Sequence, residues 1–224
     1  EDRDGNGVQE ISAPFIVLSD YLGVPSGGTT MSSNSPYTTV VTPAPYGGFG
    51  VDIVGDPAAF LNPSPLQFVN TEPFEKGIGA HPNLQEPNTQ IDFHLGALGS
   101  ISTFDVFSAV IGIDPWPGIE TGPPDGGATF KVLLDGIEAL SVDIPRYTTG
   151  GIPIEVSLNE AQTLSLVTEV ILPWESNHAV WADAKLGTKE RGLADWTIYL
   201  DQNNNAVHDS GERFTTTDAD GNYA

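Results

Sequence analysis

The side chains best suited to chemistry fall in two short stretches. Asn177 to Leu186 reads Asn-His-Ala-Val-Trp-Ala-Asp-Ala-Lys-Leu. Taken as a strand, it sets Val180, Ala182, Ala184 and Leu186 on one face and Trp181, Asp183 and Lys185 on the other, with His178 at the entrance. A sugar site needs an aromatic face to stack on the C–H surface of the ring and fixed polar groups for the hydroxyls. Trp174, Glu175, Asn177, His178 and Trp181 lie close together in sequence and have those properties. His81, held extended before a proline, and Trp116, in a proline-rich loop, join them. Trp181 suits a core position equally well. An alanine-rich run also suits a helix, but only Asn177 would cap one and the flanks are strand-like.

The second stretch runs from Asp201 to Glu212. With Asp201 as position one, Asn203 falls at three, Asn205 at five, Asp209 at nine and Glu212 at twelve. That is the oxygen-ligand spacing of an EF-hand calcium loop, except that Ala206 stands where the turn glycine belongs. The other reading is an Asn/Asp-rich hairpin turn. Asp2, Asp4, Asn6 and Glu10 around Gly5 and Gly7 form a further acidic segment, either a linker or the tail of a preceding calcium loop.

Catalytic patterns are missing. The chain has no cysteine, and His81, His94, His178 and His208 lie in neither a Gly-x-Ser-x-Gly elbow nor a zincin motif. A pair of carboxylates could meet in space, but the chain lacks the size and α/β layout of most glycosidases. A non-catalytic protein is expected.

These groups must be positioned by short strands. The 224 residues allow one or two domains, and 25 glycines with 18 prolines at only 17% charged residues are the profile of a loop-rich all-β protein. About ten apolar runs, among them Gln90 to Leu95, Ile101 to Ile113, Ala128 to Leu134, Ile137 to Ile144, Ile152 to Leu158 and Thr163 to Leu172, are separated by Gly/Pro/Asn/Ser breakers. Asp135-Gly136 is a hairpin turn signal. No helix is expected, and the pattern predicts a sandwich or barrel. A net charge of −22, from 30 acids against 8 basic residues, disfavours nucleic acid and anionic membranes and suits calcium. No apolar run reaches membrane-spanning length. The abrupt ends, Glu-Asp-Arg-Asp-Gly-Asn-Gly and Asp-Gly-Asn-Tyr-Ala, suggest a piece of a longer polypeptide with neighbouring domains.

Four blocks in fixed order carry a resemblance. Phe74-Glu75-Lys76-Gly77-Ile78-Gly79-Ala80-His81, Phe104 to Asp114, Phe130-Lys131-Val132 with Asp135-Gly136, and His178 with Trp181 to Leu186 resemble the NPCBM family of carbohydrate-binding modules, over about Ser12 to Gly187. The resemblance implies a galactose-binding-like jelly-roll β-sandwich. It also implies non-catalytic glycan binding, galactose-type sugars included, in a secreted or cell-surface bacterial protein, with a structural calcium to which Asp20 and Asp183 could contribute. The acidic neighbour of the family's histidine is replaced here by Ser176-Asn177 before His178 and Val180 after it. Residues 188–224 resemble the start of a calcium-binding B-type repeat of bacterial surface adhesins, a partial prealbumin-like β module. The expected organisation is therefore an acidic linker over 1–11, a jelly roll over 12–187 and an incomplete repeat over 188–224. The alternative is a structural or assembly module of a surface layer, filament or adhesin, with self-assembly in place of sugar binding.

Overall fold

The computed structural model describes residues 12–22, 29–30, 36–42, 49–51, 53–54, 64–65, 74–80, 82, 87–98, 104–114, 126–146, 148–171, 178–188, 193–218 and 222–223. The chain forms two compact units, Asp2–Thr188 and Lys189–Ala224.

The first unit is built from β1 (Ser12–Val17), β2 (Thr29–Thr30), β3 (Thr38–Thr42), β4 (Phe49–Val51), β5 (Ile53–Val54), β6 (Ser64–Pro65), β7 (Gly77–Ala80), β8 (Asn88–His94), β9 (Val106–Ile113), β10 (Gly127–Leu134), β11 (Ile137–Pro145), β12 (Ile152–Ser157), β13 (Thr163–Ile171) and β14 (Ala179–Thr188). One antiparallel sheet runs β12-β9-β14-β7-β4-β2 with β1 also on β14, and the other runs β11-β10-β13-β8-β3. From β7 to β14 the chain crosses between the sheets at every step except the β10–β11 hairpin. Crossing connections of this kind make a jelly roll. Among the described residues the only helical pieces are single turns, Leu95–Leu98 and a 3₁₀ turn at Leu18–Tyr21, each directly after a strand. No described helix is long and apolar enough to cross a membrane.

Alternation explains most of the core. Ile91 and Phe93 of β8, Phe107 and Ile111 of β9, Phe130 and Val132 of β10, and Leu164 and Leu166 of β13 all point between the sheets and are buried. Fully burying each such side chain contributes about 1.5–3 kcal/mol. The outer face of the five-stranded sheet is polar and paired, with Thr39–His94 at 2.8 Å, Gln90–Asp92 at 2.9 Å and Lys131–Glu169 at 2.7 Å. Its phenylalanines, Phe93 and Phe130, are both in the core, and the ring that the outer face carries, His94, is held by Thr39. The β10–β11 turn puts Asp135 at φ 50° and Gly136 at φ 80°, the pair of left-handed residues that a two-residue hairpin requires.

β14 departs from simple alternation. Its register slips between Ala182 and Lys185, and Asp183 sits in the left-handed region at φ 48°. A bulge at this point exchanges the two faces of the strand. Ala179 and Trp181 point into the main core before it, and Ala184 and Leu186 after it. Val180 and Ala182 fall on the opposite face, buried with Phe74 and Val110 in a second, smaller cluster. The bulge also divides the strand's edge: β7 pairs as far as Ala182, and β1 pairs with Lys185, Leu186 and Thr188.

The second unit contains β15 (Thr197–Tyr199) and β16 (Phe214–Thr216), an antiparallel pair joined through the Asp201–Glu212 loop.

Candidate functional site

Strand register brings one sequence-predicted polar residue, His178, to one end of the larger sheet. Ala179 opens β14 and pairs with Ala80, the last residue of β7, on one side and with Ile113, the last of β9, on the other. His178 therefore stands at the row where β7 and β9 finish. The Asp114 N–H donates to the His178 carbonyl at 2.8 Å and extends the ladder by one residue. His178 and Asp114 are both buried, Asp114 with 6% of its surface exposed. Among the described residues no donor reaches Asp114 Oδ2. Loss of hydration pushes its carboxyl from 3.8 up to about 7, because the charged form is the one that burial penalises. By connectivity, segment 115–125 leads away from this end to β10, and segment 172–177 arrives at it from β13.

Trp181 is corrected from sugar platform to core residue. Only 1% of it is exposed; its ring meets Phe130 edge-on at 5.1 Å and Phe107 at 6.5 Å, and its Nε1–H donates to Thr168 Oγ1 at 3.0 Å. The bulge at Asp183 is the physical reason, since it places Trp181 on the same face as Ala184 and Leu186. His81, Trp116, Trp174, Glu175 and Asn177 lie outside the described residues. Asp114 was not among the sequence-predicted site residues, because the apolar pattern of β9 stops at Ile113. The signal was an acid directly following that run.

Asp20 and Asp183, expected to share a structural calcium, are each engaged by a lysine instead. Lys76 Nζ lies 2.7 Å from Asp20, and Lys185 Nζ lies 2.7 Å from Asp183. A cation there would have to displace both ammonium groups. Lys185 also sits 5.5 Å above the Phe15 ring. His94 is a strand-surface histidine bonded to Thr39, and His208 packs beside Tyr199 and Phe214.

The Asp201–Glu212 loop is tightly wound on its own side chains. Asp201 accepts from the Ala206 N–H at 2.7 Å and the Asn205 N–H at 3.1 Å. Glu212 accepts from the Gln202 N–H at 2.8 Å and the Asp209 N–H at 3.0 Å. The side-chain amides of Asn203 and Asn205 both donate to Asp209 Oδ2 at 2.8 Å. These donors hold two carboxyls below their ordinary range: chiefly the Ala206 N–H for Asp201, and the amides of Asn203 and Asn205 for Asp209. Ala206 has φ 60°, so the alanine takes the left-handed turn that the EF-hand pattern reserves for glycine. Among the described residues no three His, Asp or Glu side chains converge as a metal cluster. An oxygen cage in this loop would therefore need the carbonyl oxygens of Asn203 and Asn205 as well as its acids, and both amides would have to turn over.

The model of one protein family, the NPCBM/NEW2 domain, matches residues 58–187, more than half of the chain. The chain belongs to the NPCBM family. No curated protein sequence matches it. Among solved structures, the tandem CBM51 modules of a family 98 glycoside hydrolase from Streptococcus pneumoniae are similar at 18% identity and a TM-score of 0.54, over 81% of this chain and 51% of theirs. CBM51 from Clostridium perfringens GH95, in complex with methyl-galactose, gives 19% identity and 0.46, over 77% of this chain and 99% of its own. The CBM51-2 and INT domains of Clostridium perfringens ZmpB give 23% identity and 0.46, over 80% of this chain and 32% of theirs. The NPCBM chain thus spans about half of the Streptococcus structure and about a third of the ZmpB one. The Streptococcus modules share its sandwich fold. The family match ends at Gly187, so the Asp201–Glu212 loop stands outside it.

Proposed function

We propose that the Asp2–Thr188 unit is a non-catalytic carbohydrate-binding module of a secreted or cell-surface bacterial protein, and that calcium steadies the Lys189–Ala224 unit. The observation that carries the first part is the NPCBM match over 58–187, which contains the row where His178 and Asp114 meet at the ends of β7, β9 and β14. The phenylalanines of the five-stranded sheet face the core and the outer His94 is held by Thr39, which favours this end as the place for a sugar. Trp174 and Trp116 are the rings that the connecting segments would bring to it. A glycan array with galactosides and N-acetylglucosamine tests the proposal. Trp174→Ala is expected to weaken the best-bound sugar at least tenfold in calorimetry, since one aromatic anchor in a small site is worth about 2 kcal/mol or more. Binding unchanged by that substitution, or no binding by the parent, would count against it.

The calcium proposal rests on the spacing of Asp201, Asn203, Asn205, Asp209 and Glu212 and on the left-handed turn at Ala206. Calcium at about a hundred times its dissociation constant should stabilise the unit by about 2.7 kcal/mol, and a chelator should reverse this. Ala206→Gly removes the steric cost of a Cβ at φ 60°, about 1 kcal/mol, and should tighten calcium binding several-fold. Identical melting curves with calcium and with chelator would sink this idea.

One observation supports an assembly role for the second unit. Trp196 is 58% exposed and Phe214 62%, with Leu200 also open, on a hairpin too small to bury them by itself. Concentration-dependent sedimentation of the whole chain, lost on Trp196→Ser, would favour self-assembly.

A further inference from the structure

We propose that the β15–β16 hairpin carries a shallow sugar platform of its own, on which a neutral pyranose stacks against Tyr199, His208 and Phe214. This goes beyond the module reading of the first unit, because these residues belong to the other unit and lie outside the family match. Register puts the rings together. Tyr199 pairs with Phe214 and Thr197 with Thr216, so two rings and two hydroxyls share one face of the hairpin, while Ile198 falls on the opposite face. His208 reaches the same rings from the loop, its centroid 5.2 Å from Tyr199 and 4.8 Å from Phe214. The cluster is open to solvent: Phe214 is 62% exposed, His208, Thr197 and Thr216 are exposed, and Tyr199 is half-buried.

The rings are in place before a ligand arrives. Asp209, next to His208, takes the Asn203 and Asn205 amides at 2.8 Å, and its N–H donates to Glu212 at 3.0 Å. His208 therefore enters the cluster from a fixed backbone, and a preformed site loses little freedom on binding. Chemistry selects the ligand. Clustered rings offer an apolar surface to the C–H face of a pyranose, and the flanking threonines can donate to or accept from its hydroxyls. No carboxylate or ammonium belongs to this row, and the chain's −22 charge opposes both an anionic sugar and a second copy of the chain. Size argues against a protein as well. These side chains match the footprint of a short sugar, whereas a standard protein interface takes about 20–30 residues a side.

The test follows the ring protons of Tyr199, His208 and Phe214 by NMR in the whole chain while methyl-galactose or methyl-glucose is added. Saturable shifts of these rings are expected. They should persist in Trp174→Ala, which removes the ring proposed for the first unit, and weaken at least tenfold in Phe214→Ala. The parent resonances need no variant to fold. Rings that stay unmoved with either sugar overturn the platform, and a first unit that binds sugar meanwhile keeps its own reading. Shifts lost in Trp174→Ala overturn it too, since the rings would then be reporting on the first unit. Rings that move with protein concentration and not with sugar make the cluster an assembly contact and overturn it equally.

Discussion

Trp181→Ala should cost the first unit about 3–5 kcal/mol, the loss of a fully buried aromatic plus the cavity it leaves. Domains of this size have about 5–15 kcal/mol in all, so the variant should unfold at much lower urea or fail to fold at ordinary temperature. The side chain joins the two sheets: it stands on β14, its ring meets Phe130 of β10, and its Nε1–H bonds to Thr168 of β13. Trp181→Phe keeps most of the apolar contact and loses the hydrogen bond, so about 1–2 kcal/mol is expected. Equilibrium urea denaturation of the three proteins checks both figures. A sugar platform would behave in the opposite way, losing ligand with its melting unchanged, and that result would place Trp181 at the surface.

Asp114 should make stability depend on pH in an unusual direction. Its folded value of about 7 lies above the ordinary 3.8, so between those values the folded chain holds more proton than the unfolded one. Unfolding free energy then decreases as pH rises through that window, by at most about 1.4 kcal/mol per unit, and levels off above about 7. Carboxyls held low, such as Asp201 and Asp209, act the other way, and their contribution is lost only on acidification. Comparison with Asp114→Asn isolates the effect, because the amide does not titrate. The stability of the variant relative to the parent should improve steadily from pH 4 to 7, by a few kcal/mol in total, and then stay constant. A difference that is the same at every pH would mean that the carboxyl is ionised in the fold.

The elements and the site differ in how far they could be read from sequence. Runs such as Gln90 to Leu95 alternate cleanly, because one face of each meets the core and the other meets water, and β8 follows that pattern. Asp135-Gly136 announces its turn because few residue pairs tolerate two left-handed positions in succession. The bulge at Asp183 had no such announcement. Aspartate enters the left-handed region more easily than most residues, yet Trp181, Asp183 and Lys185 read as one regular face. Only the pairing of β14 with β7, β9 and β1 exposes the missed step, and pairing between distant segments is not written in local periodicity. The candidate site was legible only in part for a similar reason. His178 stood out by its residue type, whereas Asp114 becomes notable through the absence of a donor, a property of the folded neighbourhood rather than of the chain.

The divided edge of β14 has a consequence for how the chain is made. Ser12 pairs with Thr188, and β7 pairs with the same strand's opening half. The first strand of this unit thus finds its partner only when the unit's last strand has emerged. Contacts so far apart in sequence carry a large loop-closure cost and slow folding. The larger sheet cannot close until β14 has been made, and the edges of β7 and β9 that face it wait for that strand. A low density of charge along those early strands would then matter less for the finished molecule than the speed with which β14 arrives to cover them.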